Sequence, residues 1–235
     1  MTHKISGPTL ITSAWVTFKK HWKFIIPAVV TTGVLMAALQ LLQKATENNI
    51  VSSLITGLIS VVIGIAITLG WSRVLLLLVR HQHADWNSFK TDPKHWFAFF
   101  LARLLYGLFA IVPMIVFSIS LGLVIRMLFI SLITSIPLFI ITIILSIIAA
   151  ILCIWIGIRF MFISFVAIDH PELTAWKLLK KSGQITQGHV GKLFLLALLL
   201  VLVNIVGAIA LIVGLLVSIP LSKIAMGYAY EQLNG

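Results

Sequence analysis

Hydrophobic and polar positions fall along this chain in long blocks rather than in a short period. Apolar runs of about 20 residues, the length that a hydrocarbon core requires, cover residues 24–43, 51–72, 104–123 and 137–157. The run at 193–222 is too long for one crossing and short for two. Extended at both ends, it reads as spans 190–206 and 208–230, turning at Asn204 and Gly207. Between the third and fourth runs, residues 128–135 read either as a helix extension or as a segment lying at the far interface. The expected fold class is all-α: a polytopic transmembrane helical bundle of about six spans in one integral membrane domain, residues 1–235.

Between the apolar blocks lie segments with helical rather than uniform patterning. In residues 9–22, Leu10, Ile11, Ala14, Trp15, Phe18 and Trp22 share one half of a helical wheel, with Ser13, Thr17, Lys19 and Lys20 on or beside the other. Residues 171–182 repeat the pattern more strongly. Pro171 sits at a helix-start position, Ala175, Trp176, Leu178 and Leu179 fall on one side, and Lys177, Lys180 and Lys181 on the other. Both read as basic amphipathic helices lying on a membrane surface. A shorter echo, Trp86-Asn87-Ser88-Phe89-Lys90, shares its spacing with Trp15-Val16-Thr17-Phe18-Lys19 and Trp176-Lys177-Leu178-Leu179-Lys180. Each copy precedes a pair of spans, which suggests three units of surface helix plus hairpin. Small residues line two spans: Ser53, Gly57, Ser60, Gly64 and Thr68 on the second, and Gly207, Gly214, Ser218 and Ser222 on the last. Each stripe is expected to admit another helix closely.

Composition agrees with the block pattern. Hydrophobic residues make up 60% of the chain and charged residues 10%, and mean hydropathy is +1.14, far from a soluble domain. The 17 Lys and Arg against 6 Asp and Glu stand beside spans, where topology and anionic headgroups account for them without nucleic acid. With six crossings and both termini on one side, Lys44 and Arg126 are the only basic residues on the far side. That asymmetry places both termini in the cytoplasm. The first span is expected to be retained, since the start turns amphipathic after Met1-Thr2-His3-Lys4 and no small-residue cleavage site precedes residue 24.

Candidate chemistry is sparse. Cys153 is alone, so no internal disulfide forms. No phosphate loop, nucleophile elbow or zinc-protease helix is present. His81-Gln82-His83 with Asp85 and His95 is the nearest thing to a metal site, but two His one residue apart do not share a helical face. Arg73, Arg103, Arg159 and Lys223 read as snorkelling to the near boundary. No catalytic residue, cofactor or metal ligand is assigned.

Ser182-Gly183-Gln184-Ile185-Thr186-Gln187-Gly188, then an apolar hairpin, Pro220-Leu221 and Tyr228-Ala229-Tyr230-Glu231-Gln232-Leu233, resembles the end of the membrane domain of bacterial glycerophosphoryl diester phosphodiesterases. Related stand-alone multi-pass proteins of unknown function share it. The resemblance covers the C-terminal third; Ile185 stands where Leu is usual, and no Arg follows the closing Leu233. It implies a bacterial inner-membrane protein and carries over no reaction, because the phosphodiesterase chemistry belongs to a separate soluble barrel.

The reading is therefore a non-enzymatic membrane protein that holds anionic lipid or a cytoplasmic partner through its basic surface helices. The contact residues are Trp15, Lys19, Lys20, Trp86, Lys90, Trp176, Lys177, Lys180 and Lys181. A second copy of the chain or another membrane protein is the further partner class. The alternative is a transporter or channel for a lipid-like or weakly polar solute, which needs no charged midplane site.

Overall fold

A computed structural model describes residues 7–129 and 136–234. Among them every regular element is helical: α1 (Gly7–Thr46), α2 (Ile50–Val79), a 3-10 turn (Trp86–Phe89), α3 (Pro93–Phe129), α4 (Ile136–Arg159), α5 (Ile163–Asp169), α6 (Ala175–Thr186), α7 (Val190–Ile209) and α8 (Leu211–Asn234). Five stretches, Gly7–Thr46, Ile50–Val79, Trp96–Leu128, Ile136–Asp169 and Val190–Ile209, are long and apolar enough to cross a membrane. The protein is an integral membrane helical bundle. Of the ambiguous segment after the third span, residues 130–135 lie outside the described residues.

Three antiparallel hairpins make up the bundle. In α1/α2, the Thr46 and Thr56 hydroxyls share a hydrogen bond of 3.0 Å near the tip, and Trp71 Nε1 donates to Thr32 Oγ1 at 3.3 Å further along. In α3/α4, Ser146 Oγ donates to Ser120 Oγ at 2.8 Å, and the Tyr106 and Phe160 rings meet edge-on at 5.9 Å. In α7/α8, Asn204 Nδ2 donates to Ser222 Oγ at 3.0 Å. The serine pair is buried and the others are partly so, as suits helices joined where little water competes for hydroxyls and amides.

Several boundaries differ from the sequence reading. The surface helix at 9–22 and the span at 24–43 are one helix, α1, with Pro27 inside it. Its 40 residues are about 60 Å long, twice a hydrocarbon core, so its first turns run beyond the core. Nothing in Lys23-Phe24 breaks a helix, and the sequence signal was the change of patterning alone. The Trp86 echo is a four-residue 3-10 turn rather than an amphipathic helix; Asp85 caps it, accepting from Ser88 N at 3.0 Å and Ser88 Oγ at 2.8 Å. The same hydroxyl contact holds the Asp85 carboxyl below its usual range. Pro171 does not start a helix: residues 171–174 are irregular and α6 begins at Ala175, after an extended Thr174. The last hairpin turns at Ala210, leaving Asn204 inside α7 as a helix-to-helix donor.

Each surface segment rests on a hairpin other than its own. The start of α1 lies against α7 and α8: a Cβ on Gly7 would come within 2.8 Å of Leu199 Cδ1, and the Thr17 and Tyr228 hydroxyls are 2.7 Å apart. Thr17, placed by its wheel position on the polar side, is only 4% exposed for this reason. The 3-10 turn lies on α1/α2, with Trp86 edge-on to Phe24 at 5.6 Å and Phe89 edge-on to Trp71 at 5.3 Å. Helix α6 lies on α3/α4, through Trp176 against Phe109 and Ser182 against Arg159. The three units thus cap one another in a closed cycle.

The tightest core sits where the open ends of the hairpins meet. Leu69, Trp71, Val74 and Leu78 of α2, Phe162 and Val166 around α5, and Ile224, Ala225 and Tyr230 of α8 are all buried. An ion cluster closes it: Arg80 reaches Asp169 and Glu231, each at 2.7 Å, and Tyr230 Oη donates to Asp169 Oδ2 at 3.0 Å. The Asp169 bond, followed by the Glu231 bond, outweighs burial and raises the Arg80 pKa above its ordinary value. Away from this end the hairpins present Val34, Leu41, Leu58, Ile141, Ile148 and Val206 outward, the surface that lipid tails solvate.

Candidate functional site

Helix α6 is built to dock its small side. Leu178, Leu179 and Ile185 are buried, as is the step Ser182, Gly183, Thr186. Ser182 Oγ and Thr186 Oγ1 donate to the Arg159 carbonyl at 3.2 and 3.3 Å. That carbonyl ends α4 and has no intrahelical donor of its own. Gly183 allows a close approach here, since an added Cβ would lie 3.3 Å from Arg159 Nε, a tight contact with a side chain. Gly188, at φ +78°, then reverses the chain into α7. The motif at residues 182–188 therefore has a local physical role: it seats α6 on the end of α4.

Docking leaves a cleft of about 500 Å³ between α3, α4 and α6. Its walls are aromatic: Phe109, Trp155, Phe160 and Trp176. Arg159, Lys180, Gln184 and Gln187 supply its polar groups. The Arg159 guanidinium lies over the Trp155 ring at 5.1 Å, and Trp176 tilts against Phe109 at 6.4 Å. Trp176 is 59% exposed at the cleft, whereas Leu178 and Leu179, assigned to the same side by wheel position, are buried. Two cations, two amides, aromatic walls and no lining carboxylate are the chemistry that would suit an anion attached to an apolar body.

The other expected contact residues are not brought to this cleft. Lys177 is exposed and Lys181 half-buried on α6. On α1, Trp15 is 39% exposed and stacks on Phe18 at 5.8 Å; Lys19 lies over its ring at 5.1 Å and Lys20 is exposed. Trp86 stacks on Phe89 at 6.0 Å, while the Lys90 carbonyl accepts from Arg73. The pattern therefore marks three surface places, of which the third copy borders this cleft. Sequence reasoning missed Phe109, Trp155, Arg159, Gln184 and Gln187 as a group, because they come together only when α6 folds back over α3/α4.

Three of the loop acids have separate partners in the structure. Asp169 belongs to the Arg80 cluster, Glu172 lies 3.4 Å from His170, and Asp85 caps the 3-10 turn. Among the described residues no group of three or more His, Cys, Asp or Glu could hold a metal; the His95 side chain lies outside them. The second-span stripe is also placed differently from its reading: nothing lies within 4 Å of a Cβ added at Gly57 or Gly64. No family model matches this chain, and no curated protein or solved structure matches it.

Proposed function

We propose that the protein holds anionic phospholipid at the cytoplasmic face of a bacterial inner membrane, without catalysing a reaction. The phosphate sits between Lys180 and Arg159, and the adjoining glycerol and first methylenes lie against Phe109, Trp155 and Trp176. The observation that carries this reading is the α6 cleft, in which cations and aromatic rings converge with no carboxylate among its lining residues. Support also comes from the distribution of charge, which favours six crossings with both termini cytoplasmic. On that topology α8, antiparallel to α7, is the sixth span. The likeness of residues 182–188 and 228–233 to a bacterial membrane domain points to the same compartment. Transport of a lipid-like solute stays the other class of function, and no single contact favours it over lipid holding.

The test uses the full chain in neutral detergent, titrated with phosphatidylglycerol and read by native mass spectrometry. Each basic residue near an anionic surface is worth about 1 kcal/mol, so Lys180→Gln should weaken binding about fivefold. Lys177→Gln, which is exposed away from the cleft, should change it less. Equal binding by wild type and Lys180→Gln, with the fold retained, would remove the lipid-holding role from α6. A C-terminal reporter active only outside the cytoplasm would overturn the topology.

A further inference from the structure

Arg103, on α3, has no hydrogen bond or ion pair among the described residues. Three other arginines are engaged: Arg73 donates to the Lys90 carbonyl, Arg80 is held by Asp169 and Glu231, and Arg159 covers Trp155. Arg103 instead borders two clefts. One, of about 380 Å³, lies between α1, α2 and α3 and is lined by Met36, Gly64, Thr68 and Leu104 beside it. The other, of about 220 Å³, has Tyr106 and Ser164 in its lining. Neither lining includes a carboxylate.

The first cleft continues into apolar surface. Val61, Ile65 and Phe100 line both it and an adjoining cleft of about 380 Å³ that reaches Leu58, Val62, Trp96 and Phe97. From Thr68 to Leu58 is about 15 Å along α2 at 1.5 Å per residue, half of a roughly 30 Å hydrocarbon core. The clefts therefore run together along α2 for about half the thickness of a core, with Arg103 and Thr68 at one end and Leu58, Trp96 and Phe97 at the other. The small side of α2 is open here, since a Cβ on Gly64 would meet nothing within 4 Å.

We infer that this lateral cleft is a second anionic-phospholipid site, in which Arg103 takes the phosphate and one acyl chain lies along the Gly64 side of α2. The forked guanidinium matches two phosphate oxygens, and a single acyl chain matches the cleft's length along α2. The site shares no residue with the α6 cleft and stands whether or not that cleft binds lipid. Free phosphate has the same head chemistry but no use for the apolar length, so the occupant is the lipid.

The experiment titrates the full chain with phosphatidylglycerol, and separately with phosphatidylcholine, by native mass spectrometry. Arg103→Gln is expected to lower the affinity of one bound phosphatidylglycerol about fivefold, with Arg103→Lys keeping part of it. Gly64→Leu keeps Arg103 and should lower the same event by filling the cleft, so the reading survives if Arg103→Gln fails to fold. Lys180→Gln reports the α6 cleft alone, so loss at one site is distinguishable from loss at the other. Unchanged phosphatidylglycerol binding in both Arg103→Gln and Gly64→Leu overturns the proposal. Equal binding of phosphatidylcholine, or displacement of phosphatidylglycerol by inorganic phosphate, overturns it as well.

Discussion

Two stripes of small residues look alike along the chain and have opposite surroundings in the bundle. On the α7/α8 hairpin, a Cβ at Gly207 would fall on the Ser218 hydroxyl and one at Gly214 on the Gly207 carbonyl; Ser218 is 4% exposed. On α2, Gly57 and Gly64 face open space, and the Ser60 and Thr68 hydroxyls donate back to the carbonyls of Thr56 and Gly64 in their own helix. Spacing alone says that a helix could approach. What decides is connectivity: α7 and α8 are joined at a single residue, Ala210, which forces their backbones together. Helix α3 reaches α2 after the intervening 3-10 turn and crosses it with Phe99 and Phe100 between. A small residue thus closes a gap in one place and leaves a groove in the other.

The sharpest way to break this contrast is to enlarge the closed stripe. Gly207→Leu should lower stability in detergent by about 1–3 kcal/mol, the usual range for overpacking, and an unchanged melting temperature would mean that α7 and α8 are not in tight contact. A smaller effect belongs to the polar bond in the same hairpin. Asn204→Ala should cost about 0.6 kcal/mol, the average for such bonds between membrane helices. Its coupling to Ser222→Ala in a double-mutant cycle should vanish if the two side chains do not meet. The least effect is expected on the open stripe, where Gly64→Leu should change stability by no more than about 0.5 kcal/mol. Marked destabilisation there would show that another helix does pack on α2.

The apolar runs made the membrane class and the hairpins legible, because bilayer thickness fixes the length of a crossing whatever packs around it. Helix ends were less legible. The Lys23-Phe24 junction marks a change of solvent, not a change of backbone, so α1 passes through it. Pro171 looked like a start because its fixed φ suits one, yet the chain uses it in the turn between α5 and α6. The basic, aromatic character of residues 176–181 was visible, while the cleft beside it was not, since Phe109, Trp155 and Arg159 lie on two other helices. Arg103 offered one signal, a lone cation within a long apolar run. Its lack of a partner is a tertiary fact.

The closed cycle of caps has a consequence for biogenesis. The first turns of α1 leave the ribosome before the other described helices, but their seat is on α7 and α8, which follow all of those. At about 5–20 residues per second, Leu10, Ala14 and Phe18 wait on the order of ten seconds or more for the helices that bury them. An amphipathic segment can spend that interval on the bilayer surface, which serves as its provisional partner. A chain cut short before Tyr228 never completes the exchange, and the orphaned apolar edge distinguishes it from a finished molecule to any protease that patrols the membrane.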